Sequence, residues 1–420
     1  MTSANVRGDQ VTFAAASEGA EILLSFGAAM LRAGNTASRT REWIDVLARK
    51  LGFDAVSVGL SLDGITASVC RSGARITTMR EIGPPAINAR RIAALEQLAK
   101  TAEPGLSPRA IAVELAEIDA AAPPYSTVQI AAAVGVASAA FGFLNGAAAP
   151  EMISAAIGGA IGQCLRLWLS RLRFNHYAVT GISALTASGL YVLAAALLRH
   201  MGFEFAHYPS GFIASVLFLI PGFPLIAALF DLLQHQTVAA VSRLAYGVTL
   251  LLALTLGLSI IIKVAGLDLS RQPSLELAYP LRLLFRATAS FLAASAFAML
   301  FNGSPRAVVA AGLSALLAND LRLVLIDLGV GLAPAAFCAA LAIGLMALLT
   351  EERFNIPRMA MTVAPTVIMV PGFYAFEMIV SLNRGQLLDA LQAFATFAFV
   401  IGALAVGLAA ALFLRPRKRA

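Results

Sequence analysis

The chain has 420 residues, of which 59% are hydrophobic and only 13% charged, about half the charged share of a soluble globular protein. That balance excludes a soluble globular fold and points to a polytopic membrane protein, so the formal net charge of +7 is read as basic loops facing the cytoplasm, with no nucleic-acid partner. The charge is unevenly placed: 13 basic and 13 acidic residues precede Pro123-Pro124, whereas 18 basic and 11 acidic follow Tyr125.

Residues 1–125 read as a cytosolic α/β domain. Met1 to Gln10 are polar and show no cleaved secretory signal. A helix over about 17–33 stops at Gly34; a second, capped by Thr36, runs to Leu51 and stops at Gly52. Val56, Val58, Leu60 and Leu62 then alternate with small or polar residues. Asp63-Gly64 and Ser72-Gly73 supply turns before Ile76 to Arg80, which predicts a three-stranded meander. Two helices follow, over about 86–102 and, after Ser107-Pro108, over 109–120. The domain holds no histidine and no nucleotide-binding glycine loop, and no cofactor is implied.

Ten apolar segments follow, each near the 20 or so residues that a bilayer core of about 30 Å requires: 127–148, 150–171, 176–199, 209–232, 238–263, 284–303, 306–326, 328–350, 359–381 and 387–414. They divide into a first five-helix repeat over 126–263, a connecting loop over 264–283, and a second repeat with a basic tail over 284–420. Three marks recur in order. Phe143-Leu144-Asn145-Gly146 returns as Leu300-Phe301-Asn302-Gly303, Gln163-Cys164-Leu165-Arg166 as Asn319-Asp320-Leu321-Arg322, and Leu219-Ile220-Pro221-Gly222-Phe223 as Met369-Val370-Pro371-Gly372-Phe373. A tandem copy with an odd number of spans crosses the bilayer in the opposite sense, the inverted-repeat plan of many secondary transporters. The fold class expected is therefore all-α and polytopic, ten transmembrane helices in two inverted repeats behind the cytosolic α/β domain. Arg171, Arg173, Arg243, Arg306, Arg353, Arg358 and the tail Arg415, Arg417, Lys418 and Arg419 then face the cytoplasm, with both termini.

Pro221-Gly222 with Pro224, and Pro371-Gly372 with Pro365, interrupt the fourth and ninth spans at matching places, the strongest sequence pointer to a solute site; a pair of packing kinks is the plainer alternative. Glu377 and Asp231, and also Asp320, are proton-coupling candidates, because a charge at mid-bilayer is costly without a role. For Asp231 simple hydration at a helix end is the alternative, and for Asp320 a local pair with Arg322. Arg166 and Arg322 are placed to take a carboxylate, or else to snorkel to the nearest interface. Asn145 and Asn302 either bind solute or end their helices. Gly158, Gly159 and Gly162 allow close helix packing. Cys70, Cys164 and Cys338 read as small buried side chains, not a disulfide or metal set.

The stretch Leu24-Ser25-Phe26-Gly27 through Leu31-Arg32-Ala33-Gly34-Asn35-Thr36 to Leu47-Ala48-Arg49-Lys50-Leu51-Gly52 resembles the cytosolic domain of the threonine/serine exporter family. Ile220-Pro221-Gly222-Phe223-Pro224 to Asp231 is similar to that family's fourth span, and Val370-Pro371-Gly372 to its carboxy-terminal half. The resemblance implies a ten-span exporter in a bacterial inner membrane that moves threonine and serine outward on the proton gradient. Its partners are then a small solute, protons and the bilayer, with homo-oligomerisation left open. Relatives that split the two halves over two polypeptides are associated with succinate export, so a dicarboxylate exporter is the first alternative. A membrane-anchored hydrolase or scaffold is the second, and it has no need of two broken-helix copies.

Overall fold

The computed structural model describes residues 3–203, 209–267, 278–354, 356 and 358–414. Residues 268–277, half of the expected connecting loop, and the basic tail from Arg415 lie outside the described residues. The chain divides into two units: one made by the first 123 residues together with Phe230–Arg243, the other by Pro124–Leu229 and Leu244–Ala420.

In the first unit α1 (Ser3–Arg32) and α2 (Ala37–Lys50) are joined at Gly34, whose φ of +90° is left-handed. Asn35 and Thr36 lead into α2, and the Thr36 side chain accepts from Arg39 N. Helix α1 begins earlier than the sequence pattern predicts. Strands β1 (Ala55–Leu60), β2 (Gly64–Arg71) and β3 (Ala74–Glu81) form the expected antiparallel meander. Val58 pairs with Ala67 and Val69 with Ile76. Ser72 and Gly73 both take positive φ, 50° and 82°, the geometry of a tight hairpin turn. Helices α3 (Ala89–Thr101) and α4 (Pro108–Ala120) complete the layer, the latter with Ser107 as cap and proline in its first turn. Phe26, Met30, Ile44, Leu47, Ile65 and Leu95 are fully buried in one core, and Ala239 belongs to the same core. Gly27 lets the core close tightly there: a Cβ would meet the terminal methyls of Ile65 and Ile44, which would have to shift.

The second unit opens with α5 (Thr127–Leu144), started by a Ser126–Gln129 capping box. Then come α6 (Ala149–Arg171), α7 (His176–His200), α8 (Pro209–Ala214), a 3₁₀ turn at Leu217–Leu219, α9 (Gly222–Leu233) and α10 (Thr237–Ala265). The second series is α11 (Tyr279–Leu300), α12 (Pro305–Asp327), α13 (Leu332–Phe354), α14 (Arg358–Val367), α15 (Gly372–Asn383) and α16 (Leu387–Phe413). The two series correspond helix by helix, at a spacing that steps once. Leu144 and Leu300, Ala149 and Pro305, Arg171 and Asp327, and His176 and Leu332 bound matching helices 156 residues apart; Gly222 and Gly372, and Thr237 and Leu387, do so at 150. Arg173 and Gly329 share positive φ at the first spacing, His235 and Gly385 at the second.

Among the described residues nine helices are long and apolar enough to cross a membrane. The predicted fourth span differs, being cut into three short pieces because Pro221 lacks an amide and Pro224 sits in the first turn of α9. Leu193, Leu252, Leu256 and Phe399 turn outward, an arrangement that lipid stabilises and water does not. Gly158 and Gly162 bring α6 against Ala187 of α7, and Gly159 brings it against Ser138 of α5, so each glycine is needed for contact. The cysteines are unpaired, as expected, yet Cys164 and Cys338 are exposed and Cys70 half-buried, a correction to the buried reading.

Candidate functional site

The two helix breaks have the same backbone. In the first, Gly222 N donates to Ile220 O at 2.8 Å; in the second, Gly372 N donates to Val370 O at 2.7 Å. Each bond spans two residues around a proline, an inverse γ-turn, and Pro371 has the matching φ of −78° and ψ of 61°. The proline forbids a continuous helix, and the turn then launches a new one at the glycine, so that α9 and α15 each point an N-terminus back at the break.

These breaks face one another. A Cβ on Gly222 would lie 2.8 Å from Val370 Cγ2, and one on Gly372 would lie 2.6 Å from Ile220 Cδ1. Residues 220 and 370 are equivalents in the 150-residue register, as are 222 and 372, so residue i of one copy meets residue j of the other and the reverse. That reciprocity is what a local two-fold relation produces. Phe212 of α8 extends the contact, its ring 5.8 Å from both Tyr191 of α7 and Phe376 of α15. Helices α5 and α11, the first of each copy, also pack together.

The two equivalent arginines serve these breaks. Arg166 Nη1 lies 3.3 Å from Phe218 O and Arg322 Nη1 lies 3.4 Å from Met369 O, each donating to a carbonyl that its own Pro-Gly turn leaves outside a helix ladder. Each guanidinium thus has a backbone carbonyl as partner within the membrane unit. The expected Asp320–Arg322 pair is absent among the described contacts: Arg322 Nε donates to Asn319 Oδ1 at 2.9 Å, and Asn319 Nδ2 to Ser290 Oγ at 2.8 Å. Asp320 Oδ1 is buried with no hydrogen-bond partner among the described residues. Helix geometry explains the miss, since residues two apart project to different sides.

Asn145 caps α5, with its Nδ2 donating to Phe141 O at 2.8 Å and its own carbonyl accepting from Ser210. Asn302 takes a left-handed φ of 55°. Its structural equivalent is Gly146, φ 90°, and not Asn145, since the register is 156 residues while the two asparagines stand 157 apart. Both asparagines end helices.

Asp231, at the end of α9, belongs to the first unit. It is fully buried, which corrects the alternative of a hydrated carboxylate. Its Oδ1 accepts from Ala37 N at 3.0 Å, in the first turn of α2, and its Oδ2 is 3.2 Å from Arg243 Nε, an ionic contact without directed hydrogen-bond geometry. Arg243 Nη2 donates to Asn35 O at 2.5 Å. The α9–α10 corner is thus built into the first unit: Gln236 Oε1 accepts from Arg41, Ser242 Oγ accepts from Leu62 N, and Ala239 enters the core.

The equivalent corner of the second copy is open. Between α15 and α16 lies a cavity of about 480 Å³ lined in part by Glu377, Ser381, Arg384, Asp389, Gln392 and Thr396. In the 150-residue register Ser381 stands for Asp231, Asp389 for Ala239 and Gln392 for Ser242. Glu377 is half-buried in this cavity, four residues past Phe373 on α15. Sequence reasoning treated Arg243 only as a cytoplasmic charge and passed over Asp389. It also passed over Glu151, a fully buried carboxylate whose Oε2 accepts from Ala148 N at the start of α6. Its place in the first turn of a helix was the available signal. Among the described residues no cluster is suited to a metal ion.

Nine membrane-length apolar helices among the described residues, outward-facing leucines and two interrupted segments abutting at Pro-Gly turns define a multi-pass membrane protein of the transporter class. Residues 21–265 match the family model ThrE, "Putative threonine/serine exporter", and residues 286–414 match ThrE_2, "Threonine/Serine exporter, ThrE". The chain belongs to the threonine/serine exporter family. It is 24% identical over 251 residues to the "Probable succinate transporter subunit YjjP" of Escherichia coli (strain K12), an alignment covering 59% of this chain and 94% of that protein. It is likewise 24% identical over 243 residues to the protein of the same description in Klebsiella aerogenes, covering 57% and 90%. No solved structure matches.

Proposed function

We propose that the protein is a secondary-active exporter of small hydroxy amino acids, threonine and serine, driven by protons across a bacterial inner membrane. The observation that carries this reading is the reciprocal seating of the two Pro-Gly breaks, Ile220 on Gly372 and Val370 on Gly222. A transporter needs one central element that both halves share and that opens to either side as they rock. In this reading the two five-helix copies cross the bilayer in opposite senses, with both termini in the cytoplasm. The N-termini of α9 and α15 attract the solute carboxylate, while Arg166 and Arg322 hold the breaks in shape without contacting solute. Glu377, half-buried beside the second break, exchanges the coupled proton. Asp231 already has Arg243 and the α2 amide as partners and acts structurally.

Counterflow of labelled threonine, serine and succinate in proteoliposomes tests the assignment. Exchange of threonine or serine is expected, and exchange of succinate alone would replace the reading with dicarboxylate export, which the description of the Escherichia coli relative favours. For the coupling, Glu377→Gln is expected to keep solute exchange and lose pH-gradient-driven accumulation. Undiminished gradient-driven transport by that variant would remove Glu377 from the proton path.

A further inference from the structure

The first copy shows what normally fills the corner between its last two helices: Asp231, Ala239 and Ser242 are all taken up by the first unit. In the second copy the equivalent positions are Ser381, Asp389 and Gln392, and no segment of similar kind covers them among the described residues. A duplicated element that has lost its covering domain would be expected to turn apolar toward lipid or to close by packing. Here the ionisable groups stand at new positions: Glu377, Arg384 and Asp389 replace Ala227, Gln234 and Ala239, while Asp231, His235 and Arg243 of the first copy give way to Ser381, Gly385 and Ala393. Asp389 and Arg384 stand exposed at the rim, and Glu377 is half-buried further in along α15, toward the Pro371-Gly372 turn. Placing ionisable groups on a membrane unit is costly unless they meet water or a ligand.

We propose that this cavity is a binding vestibule for the ammonium and carboxylate of an α-amino acid, with Arg384 taking the carboxylate, Asp389 the ammonium, and the Ser381 and Thr396 hydroxyls lying within the same lining for a short polar side chain. The proposal rests on the amino-acid exporter reading above and names the residues that read the solute. Charge count sets the specificity. While Glu377 is unprotonated, two carboxylates and one guanidinium leave the lining with an excess of negative charge, which welcomes a solute carrying an ammonium and repels one carrying two carboxylates. A volume of about 480 Å³ accommodates threonine with several waters.

The test is threonine and succinate counterflow with the full-length protein and the variants Arg384→Gln, Asp389→Asn and Asp389→Arg, each checked for a monodisperse gel-filtration peak. Arg384→Gln and Asp389→Asn are expected to raise the threonine KM about tenfold or more with little change in maximal rate, as loss of one charge-assisted hydrogen bond implies. Asp389→Arg is expected to reverse the preference, losing threonine and gaining succinate, an outcome that misfolding cannot produce. If the wild-type protein exchanges threonine and all three variants keep its KM and its preference, the vestibule is wrong and the exporter reading stands. If the wild-type protein exchanges succinate alone, both are overturned.

Discussion

At the residue scale the most consequential group is Asp231, because it is fully buried and held by Arg243 on the next helix, α10, and by the α2 amide of Ala37, 194 residues away. Removing one member of such a pair strands the other charge, so Asp231→Ala is expected to destabilise the first unit by about 3–5 kcal/mol, whereas Asp231→Leu combined with Arg243→Met should cost less than Asp231→Ala alone. Thermal unfolding of the wild-type protein and these two variants checks this, and faster amide exchange at Ala37 locates the loss. A smaller effect is expected at Asp45 on α2, outside the membrane helices. Burial raises its pKa, against the opposing pull of Arg41 and Arg49. A raised carboxyl pKa means that folding disfavours the charged form, so the penalty is present at neutral pH and disappears as pH falls below the unfolded value. Asp45→Asn should therefore raise the thermal midpoint at pH 7 and lose that advantage near pH 4, where ordinary aspartates protonate.

At the element scale the packing of the two Pro-Gly breaks, the central element of the proposed exporter, is asymmetric in detail. Gly222 is faced by Val370, with Cγ2, Cβ and Cγ1 all within 3.4 Å of the added Cβ position, whereas Gly372 is faced by the far end of Ile220. Valine is stiff at χ1 and isoleucine can swing its terminal methyl aside. Gly222→Ala is consequently expected to cost about 1–3 kcal/mol through overpacking and to slow counterflow, Gly372→Ala to be milder, and Val370→Ala to rescue Gly222→Ala. Equal effects of the two glycine substitutions, or failure of the rescue, would mean that the contact is not what holds the breaks. The prolines and glycines of this element were legible in the chain, and so was their repetition. Their mutual contact was not, because a recurrent motif says that two segments are alike and nothing about whether they touch.

At the scale of the whole molecule the inverted arrangement makes the sharpest prediction. The α9–α10 corner at His235 and the α15–α16 corner at Gly385 are equivalent by register and share positive φ. If the copies are inverted, single cysteines at the two positions, in a protein whose Cys70, Cys164 and Cys338 are replaced by serine, will react with an impermeant maleimide from opposite faces of the membrane. Labelling from one face alone would exclude inversion. The fourth span is not among the nine membrane-length helices of the described residues because its apolar residues are divided among three short pieces.

Hydropathy, turn chemistry and repetition along the chain were sufficient to determine a multi-pass protein, the β-meander with its Asp63-Gly64 and Ser72-Gly73 turns, and the duplicated breaks, because each is encoded within a few residues of where it acts. Only the tertiary structure decided what the ionisable and small residues do. Arg322 turned to Asn319 and the Met369 carbonyl instead of Asp320, Asp231 was claimed by α2 and Arg243, and Asp389 and Arg384 came to share a cavity with Glu377. A charged side chain in a membrane protein takes the nearest partner that relieves its desolvation, and which partner is nearest is a property of how the helices pack.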